Sequence, residues 1–386
     1  MPSKILMGYI PELMENILNN LNNEFRSLYS CALVNRYWCK ISIPILWQDP
    51  FSFQRNPLFI SKYFSSFDED EKIILKEYGI NVEFSKTLFE YAKFLKVLNL
   101  ARLESKVVAW INLKLFNSLY YNASIYRIIN LLFKLFIESG AVLHRLGLYS
   151  SRFLELKPEI VYSLGQNEQF FSQLQYLSLD VITDFNIQNL ATLLSVLAKN
   201  ATKISALELE EFYSGYAPRF FNALFHAIIN IIKSQEQLRM FSIIGEEFPR
   251  EFHGIISALE SQKNSLQEVI IERCDYSAEF EVLKSCKNLG TLRIRYCDTE
   301  LMKLLDYNIV TLEVADCPLD AQIIALNLEK FGIVLQRLKF ESVDDEIWEE
   351  SLLLEALKSF CPNITHLDIT NIGFSTQNVE SIGMLG

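Results

Sequence analysis

The sequence predicts an α/β fold: a small all-α module at the N-terminus, then a solenoid in which each unit gives one short strand and one returning helix. Three observations predict it. An apolar residue, another three later and a third two after that recur along most of the chain. Cysteines fall at fixed places in that frame. Between the triplets lie stretches of helical periodicity.

Half of the 386 residues are apolar and 22% are charged, the composition of a folded chain. The length suits two or three domains, or one elongated repeat domain. The net charge of −11 argues against nucleic acid, which is bound mainly through Lys and Arg, and against an anionic membrane surface. It is the charge of a soluble protein. The first twenty residues lack a basic start followed by a long apolar stretch, so no secretory signal is expected. No run reaches bilayer-spanning length, since Ile125 to Ile137 is broken by Arg127, Asn130 and Lys134. Seven cysteines, an odd number, are then expected as free thiols in the cytosol or nucleus. Asn122, Asn200 and Asn363 stand in N-x-Ser/Thr triplets, expected as chance matches.

Pro11 suits the first turn of a helix, where its missing N–H costs nothing, and Glu12 favours the positive end of the helix dipole. Leu13, Met14, Ile17, Leu18 and Leu21 follow at helical spacing. Asn19, Asn20, Asn22 and Asn23 read as a loop. A second helix is expected from Glu24 to Ile41, ended by Pro44, with Ile45, Leu46 and Trp47 closing the module. Asp49 to Ser61, with Pro50, Asn56 and Pro57, reads as an irregular linker. Asp68 to Glu71 is expected to cap a helix beginning near Lys72, and Gly79 and Asn81 to end it.

About forty residues can bury only a small core, so an apolar face of this module is left for the rest of the chain or for a partner. The order Ile10-Pro11-Glu12-Leu13, Ile17-Leu18, Leu21, Leu33-Val34-Asn35-Arg36-Tyr37-Trp38 and Leu46-Trp47 resembles an F-box. The resemblance implies docking on the Skp-type adaptor of a cullin-based ubiquitin ligase. Ile10, Pro11, Leu13, Ile17, Leu18, Val34, Trp38, Leu46 and Trp47 would either touch that adaptor or hold the module together.

The triplets run Leu95/Leu98/Leu100, Leu143/Leu146/Leu148, Leu174/Leu177/Leu179, Ile204/Leu207/Leu209 and Leu238/Phe241/Ile243. They continue as Leu266/Val269/Ile271, Leu289/Leu292/Ile294, Ile309/Leu312/Val314, Leu335/Leu338/Phe340 and Ile364/Leu367/Ile369. Cys274, Cys297 and Cys317 each stand eight residues after the first position of their unit, and Cys286 and Cys361 three before it. Helical patterns fill Ile187 to Ala198, Phe220 to Lys233 and Ser351 to Phe360. The array is similar to leucine-rich repeats of the cysteine-containing kind, which often follow an F-box. That resemblance implies short parallel strands on a concave side, helices on the convex side, and a small buried group at the cysteine position to close the turn. The units from Leu266 onward fit best. The long interval from Leu95 to Leu143 means either extra helices or a first unit that is not a true repeat. The expected domains are therefore 5–50 (F-box), 51–94 (linker and helical connector) and 95–386 (solenoid).

Catalytic chemistry is not advertised. His144, His226, His253 and His366 lack metal-ligand spacing. There is no Cys-x-x-Cys pair, no Gly-rich phosphate loop and no Gly-x-Ser-x-Gly elbow, and the pairs Glu210/Glu211 and Asp344/Asp345 read as solvated. No enzyme, cofactor or metal is expected. Strand alternation instead exposes one side of each strand: Tyr176, Ser178 and Asp180; Glu208 and Glu210; Glu268, Ile270 and Glu272; Thr291, Arg293 and Arg295. Glu313, then Arg337, Lys339 and Glu341, then His366 and Asp368 complete the face. Acidic positions come early and basic ones late, as in a mixed-charge surface that selects a protein target, with Tyr176 or Tyr296 as a candidate aromatic anchor. The resemblance implies a monomer within a hetero-complex. The alternative is a non-catalytic repeat scaffold whose N-terminal helices only cap the solenoid.

Overall fold

The N-terminal residues form three helices. In the computed structural model these are α1 (Pro11–Asn19), α2 (Phe25–Ala32) and α3 (Arg36–Leu46). The structure describes residues 11–21, 24–52, 56–80, 87–114, 121–149, 158–180, 187–213, 218–304, 308–318, 321–342 and 350–370. The single helix expected from Glu24 to Ile41 is broken at Leu33–Asn35. Asn35 is the reason: it is extended, and its side chain accepts the Trp38 amide at 2.9 Å, which starts a new helix. Pro44 does not end that helix but sits in its last turn, where only one backbone bond is forgone.

The chain divides into two compact units, Met1–Leu174 and Gln175–Gly386. In the first, the stretch expected as irregular holds a 3-10 helix at Pro57–Lys62, started by Asn56, whose side chain accepts the Leu58 amide. Then α4 (Glu69–Glu77) begins one turn before Lys72. A reciprocal capping box fixes its start: Asp68 accepts the Glu71 amide, and the Glu71 carboxylate accepts the Asp68 amide. Gly79, at φ 79°, turns the chain out of it. Strand β1 (Val97–Asn99) is followed by two helices, α5 (Leu100–Lys114) and α6 (Tyr121–Glu138), before β2 (Arg145–Leu148). The second helix accounts for the long interval after Leu95. Strands β1 and β2 pair in parallel, with Leu98 opposite Leu146, and α7 (Pro158–Gln166) closes the unit.

The second unit carries eight parallel strands in chain order: β3 (Tyr176–Asp180), β4 (Ala206–Phe212), β5 (Met240–Gly245), β6 (Glu268–Glu272), β7 (Thr291–Arg295), β8 (Thr311–Cys317), β9 (Arg337–Ser342) and β10 (His366–Thr370). The intervals after β3, β4, β8 and β9 return by α-helix: α8 (Ile187–Asn200) and α9 (Pro218–Ser234) follow β3 and β4, and α10 (Ala321–Phe331) and α11 (Glu350–Phe360) follow β8 and β9. Those after β5, β6 and β7 return by 3-10 turns at Ser257–Gln262, Ala278–Ser285 and Thr299–Leu304. A 3-10 turn spans its length with fewer residues, which suits the two shortest intervals, after β6 and β7, where an α-helix was expected.

The triplet residues from Leu95 to Phe340 form the core, whereas Ile364, Leu367 and Ile369 at the last strand are half-buried. Leu207, Leu209, Phe241, Ile243, Val269, Ile271, Leu292 and Ile294 are each at most 1% exposed. Each coil is tied to the one before by a forked bond: the residue preceding the strand offers its carbonyl to two successive amides of the next coil. Gln175 O takes Ser205 and Ala206, Ser205 O takes Arg239 and Met240, and Gln336 O takes Thr365 and His366. Buried glutamines add to this. Gln235 accepts the Ile204 amide at 2.8 Å, and Gln262 accepts that of Leu238 at 3.2 Å while donating to the Ile232 and Gln235 carbonyls.

Cys274 and Cys297 close the turn after β6 and β7, and Cys317 ends β8. Each thiol donates to the carbonyl two residues back (Glu272, Arg295, Ala315) at 3.2, 3.0 and 3.2 Å. The Cys274 amide donates to the Cys297 sulfur at 3.4 Å, and the Cys297 amide to Cys317 at 3.3 Å. The residue before each cysteine is left-handed: Arg273, Tyr296 and Asp316 at φ 51°, 52° and 53°.

Candidate functional site

Helices α1 to α3 divide the residues expected at an adaptor surface into two groups. Leu18, Leu46 and Trp47 are buried, at 1%, 4% and 7% exposure, together with Met14 and Leu28. Leu13 and Ile17, one turn apart on α1, are 40% and 45% exposed, and Val34 is 60% exposed. Trp38 is half-buried. Pro11 begins α1, and Ile10 lies outside the described residues. Tyr29, not singled out by sequence, and Leu33, which opens the Leu33-to-Trp38 segment of the resemblance, are 53% and 70% exposed. The signal for Tyr29 was the same helical spacing, since Leu33 follows it by one turn.

Trp47 is turned inward. Its indole stacks on Tyr91 and meets Phe59 and Tyr63 edge-on. The next carbonyl, Gln48 O, accepts the Lys96 and Val97 amides, both at 2.9 Å, and Lys96 O accepts those of His144 and Arg145. This is the forked bond of the repeats, begun one coil before β1.

On the open face of β6 to β10, register brings opposite charges together. Arg293 lies opposite Ile270 and Glu313, and Arg295 opposite Glu272. Arg293 sits 3.2 Å from Glu268 and 3.6 Å from Glu313, Arg295 is 2.6 Å from Glu313, and Lys339 is 3.0 Å from Glu341. The hydrogen bond that Arg295 donates to Glu313 raises the Arg295 pKa, and the one that Lys339 donates to Glu341 raises that of Lys339. The basic half of the face is thus largely neutralised by its own carboxylates. Arg337, His366 and Asp368 are exposed and line, with Thr291 and Thr311, an open depression of about 400 Å³.

The early strands differ. Tyr176 donates to Glu208, and Ser178 to Glu210 at 2.8 Å. Asp180, expected on the exposed side, is only 8% exposed, and Ser178 is 0%. The alternation gives direction correctly but not exposure, because these short side chains end in the floor of the face. Tyr296 is 43% exposed, lies under the Arg273 guanidinium at 5.5 Å, and bonds to Asp316, which raises its pKa.

Burial holds the repeat cysteines as thiols: Cys297 is pushed up to about 12 and Cys317 to about 11. Burial lowers the pKa of His144. His253 is stacked on Phe225, centroids 4.5 Å apart. Among the described residues no group of three or more His, Cys, Asp and Glu is arranged to hold a metal, and no helix is long and apolar enough to cross a membrane. Asp344 and Asp345 lie outside the described residues. Neither the family models nor the curated proteins compared with this sequence give a match.

Proposed function

We propose that the chain is an F-box protein with leucine-rich repeats, the substrate-recognition subunit of an SCF-type cullin ubiquitin ligase. The observation that carries this reading is the division within α1 to α3. Leu18, Leu28 and Leu46 are buried among the helices, while Leu13, Ile17, Leu33 and Val34 are 40% to 70% exposed. Several large apolar residues exposed within so short a stretch mark a surface that a partner covers. In this reading the partner is the Skp-type adaptor, the strand face holds a target protein, and the chain supplies proximity and orientation without bond-making of its own.

Co-expression with a Skp-type adaptor tests it. A stoichiometric complex that survives Glu12→Gln and is lost on Leu13→Asp with Val34→Asp supports the reading. A soluble monomer in all three cases overturns it.

One observation favours a second reading, a repeat scaffold whose first helices are a cap. Gln48 O already makes the forked bond of a preceding coil, and terminal coils of such arrays need covering. A cap needs no adaptor, so the same co-expression separates the two.

A further inference from the structure

The open face of β3 to β5 carries Asp180, Glu208, Glu210 and Glu211. Strand register sets Ser178 beside Glu208 and Asp180 beside Glu210. A bulge follows: Leu209 pairs with Ile243 and Phe212 with Gly245, so Glu210 and Glu211 together oppose Ile244 alone. Bulges re-aim side chains, and here the added residue, Glu211, is left-handed at φ 52° and exposed. Glu246 adds a further charge at the end of β5. Glu211 is held above the ordinary carboxylate pKa, first by desolvation and then by the charges of Asp180, Glu246 and Glu210. Among the described residues, no Lys or Arg stands on the open face of these three strands. Lys203 and Arg239 come before the strands, at the opposite end.

A second observation points to a ligand. Ser242, the register partner of Glu208 on β5, lies in the floor of the same face. It is 1% exposed, and its hydroxyl has no hydrogen-bond partner. A buried hydroxyl without a partner is unfavourable, and a donor arriving on the open face would satisfy it.

We propose that the open face of β3 to β5, floored by Ser242 and rimmed by Glu208, Glu210 and Glu211, binds a segment of a partner polypeptide that carries lysine or arginine. This rests on the reading that the strand face holds a target, and does not depend on the adaptor. Same-face side chains two apart on one strand are about 6.6 Å from each other, so Glu208 and Glu210 stand in a row along β4 beside which extended cationic side chains can lie, with Ser242 Oγ accepting from an ammonium.

The test uses the full chain and a short fluorescein-labelled peptide of alternating Lys and Ala, read by anisotropy at low and high salt, with a Glu/Ala peptide as control. The triple change Glu208→Gln, Glu210→Gln, Glu211→Gln is expected to weaken the Lys peptide at least about tenfold. Ser242→Ala is expected to weaken it about threefold without lowering the melting temperature. Three results would each overturn the proposal: a folded triple variant that binds like the parent; an equal loss on Glu69→Gln, Glu77→Gln, Glu90→Gln, which would make the binding a matter of overall charge; or spermidine binding as tightly as the peptide. Adaptor co-elution is measured on the same variants. Its absence with peptide binding kept overturns only the ligase reading, and its presence with peptide binding absent overturns only this one.

Discussion

The Trp47 indole stacks on the Tyr91 ring with centroids 4.0 Å apart and planes 27° from parallel. Tyr91 opens the 3-10 turn that leads into β1, so this contact and the Gln48 carbonyl join α3 to the first strand. Trp47→Ala should cost about 3–5 kcal/mol in denaturant unfolding, the range for a large aromatic lost from a core. Trp47→Phe keeps a stacked ring and should cost less than half of that. An alanine variant as stable as the parent would show that the helices and the first strand are not joined through this residue.

Helix α1 offers two opposite outcomes from neighbouring leucines. Leu18 is 1% exposed and Leu13 40%. Leu18→Ala should lose about 2–5 kcal/mol, whereas Leu13→Ala should stay within about 0.5 kcal/mol. Melting temperatures of the two variants, measured without any partner, check this directly. A large loss for Leu13→Ala would mean that its face is covered within the chain.

These residues also show what was legible beforehand. The triplets named the core of β3 to β8 residue by residue, because alternation in a strand packed on one side leaves no other arrangement. The same alternation named Asp180 as an exposed site residue. It could not see that this short side chain ends buried beside Glu210. The pairing of Arg293 and Arg295 with Glu313 was equally hidden, since it depends on register across coils 20 residues apart (Arg293 to Glu313). The break at Asn35 was legible in principle: an Asn ahead of a helical run is a cap signal, but the apolar residues on both sides of it run together.

Cysteine reactivity should divide in the same way as burial. Cys31 and Cys39 are half-buried, and Cys274, Cys286, Cys297, Cys317 and Cys361 are buried. Burial raises Cys286 and Cys361 to about 11 and Cys297 to about 12, which leaves almost no thiolate at neutral pH. Iodoacetamide should therefore label only Cys31 and Cys39 in the native protein and all seven cysteines in denaturant, as read by mass spectrometry. Native labelling of Cys297 at a comparable rate would mean that the turn after β7 opens.

Glu313 serves two guanidinium groups, Arg293 and Arg295, and its side chain is 17% exposed. Glu313→Gln takes the carboxylate from Arg295 and leaves Arg293 with Glu268. The expected loss is about 1–3 kcal/mol, measured by urea unfolding, and part of it should return in Glu313→Gln with Arg295→Gln. High salt should narrow the gap between parent and variant. A variant that unfolds with the parent would show that the charges on this part of the face are solvated and not coupled.

Asp49 gives a pH dependence of defined sign. Its pKa is raised, first by desolvation, against the lowering effects of the Ser52 hydrogen bonds and of Arg102 and Arg145. A carboxyl group that holds its proton more tightly when folded contributes stability that is fully present below the ordinary carboxylate pKa. That contribution is lost as pH rises through the raised value. Asp49→Asn stays neutral throughout and removes the dependence. Unfolding free energies of parent and variant should therefore differ by a constant amount in acid. Above the ordinary carboxylate range the difference should shift in favour of the asparagine variant and level off near neutral pH. A shift in favour of the aspartate over that interval would mean that Arg102 and Arg145 outweigh desolvation at this site.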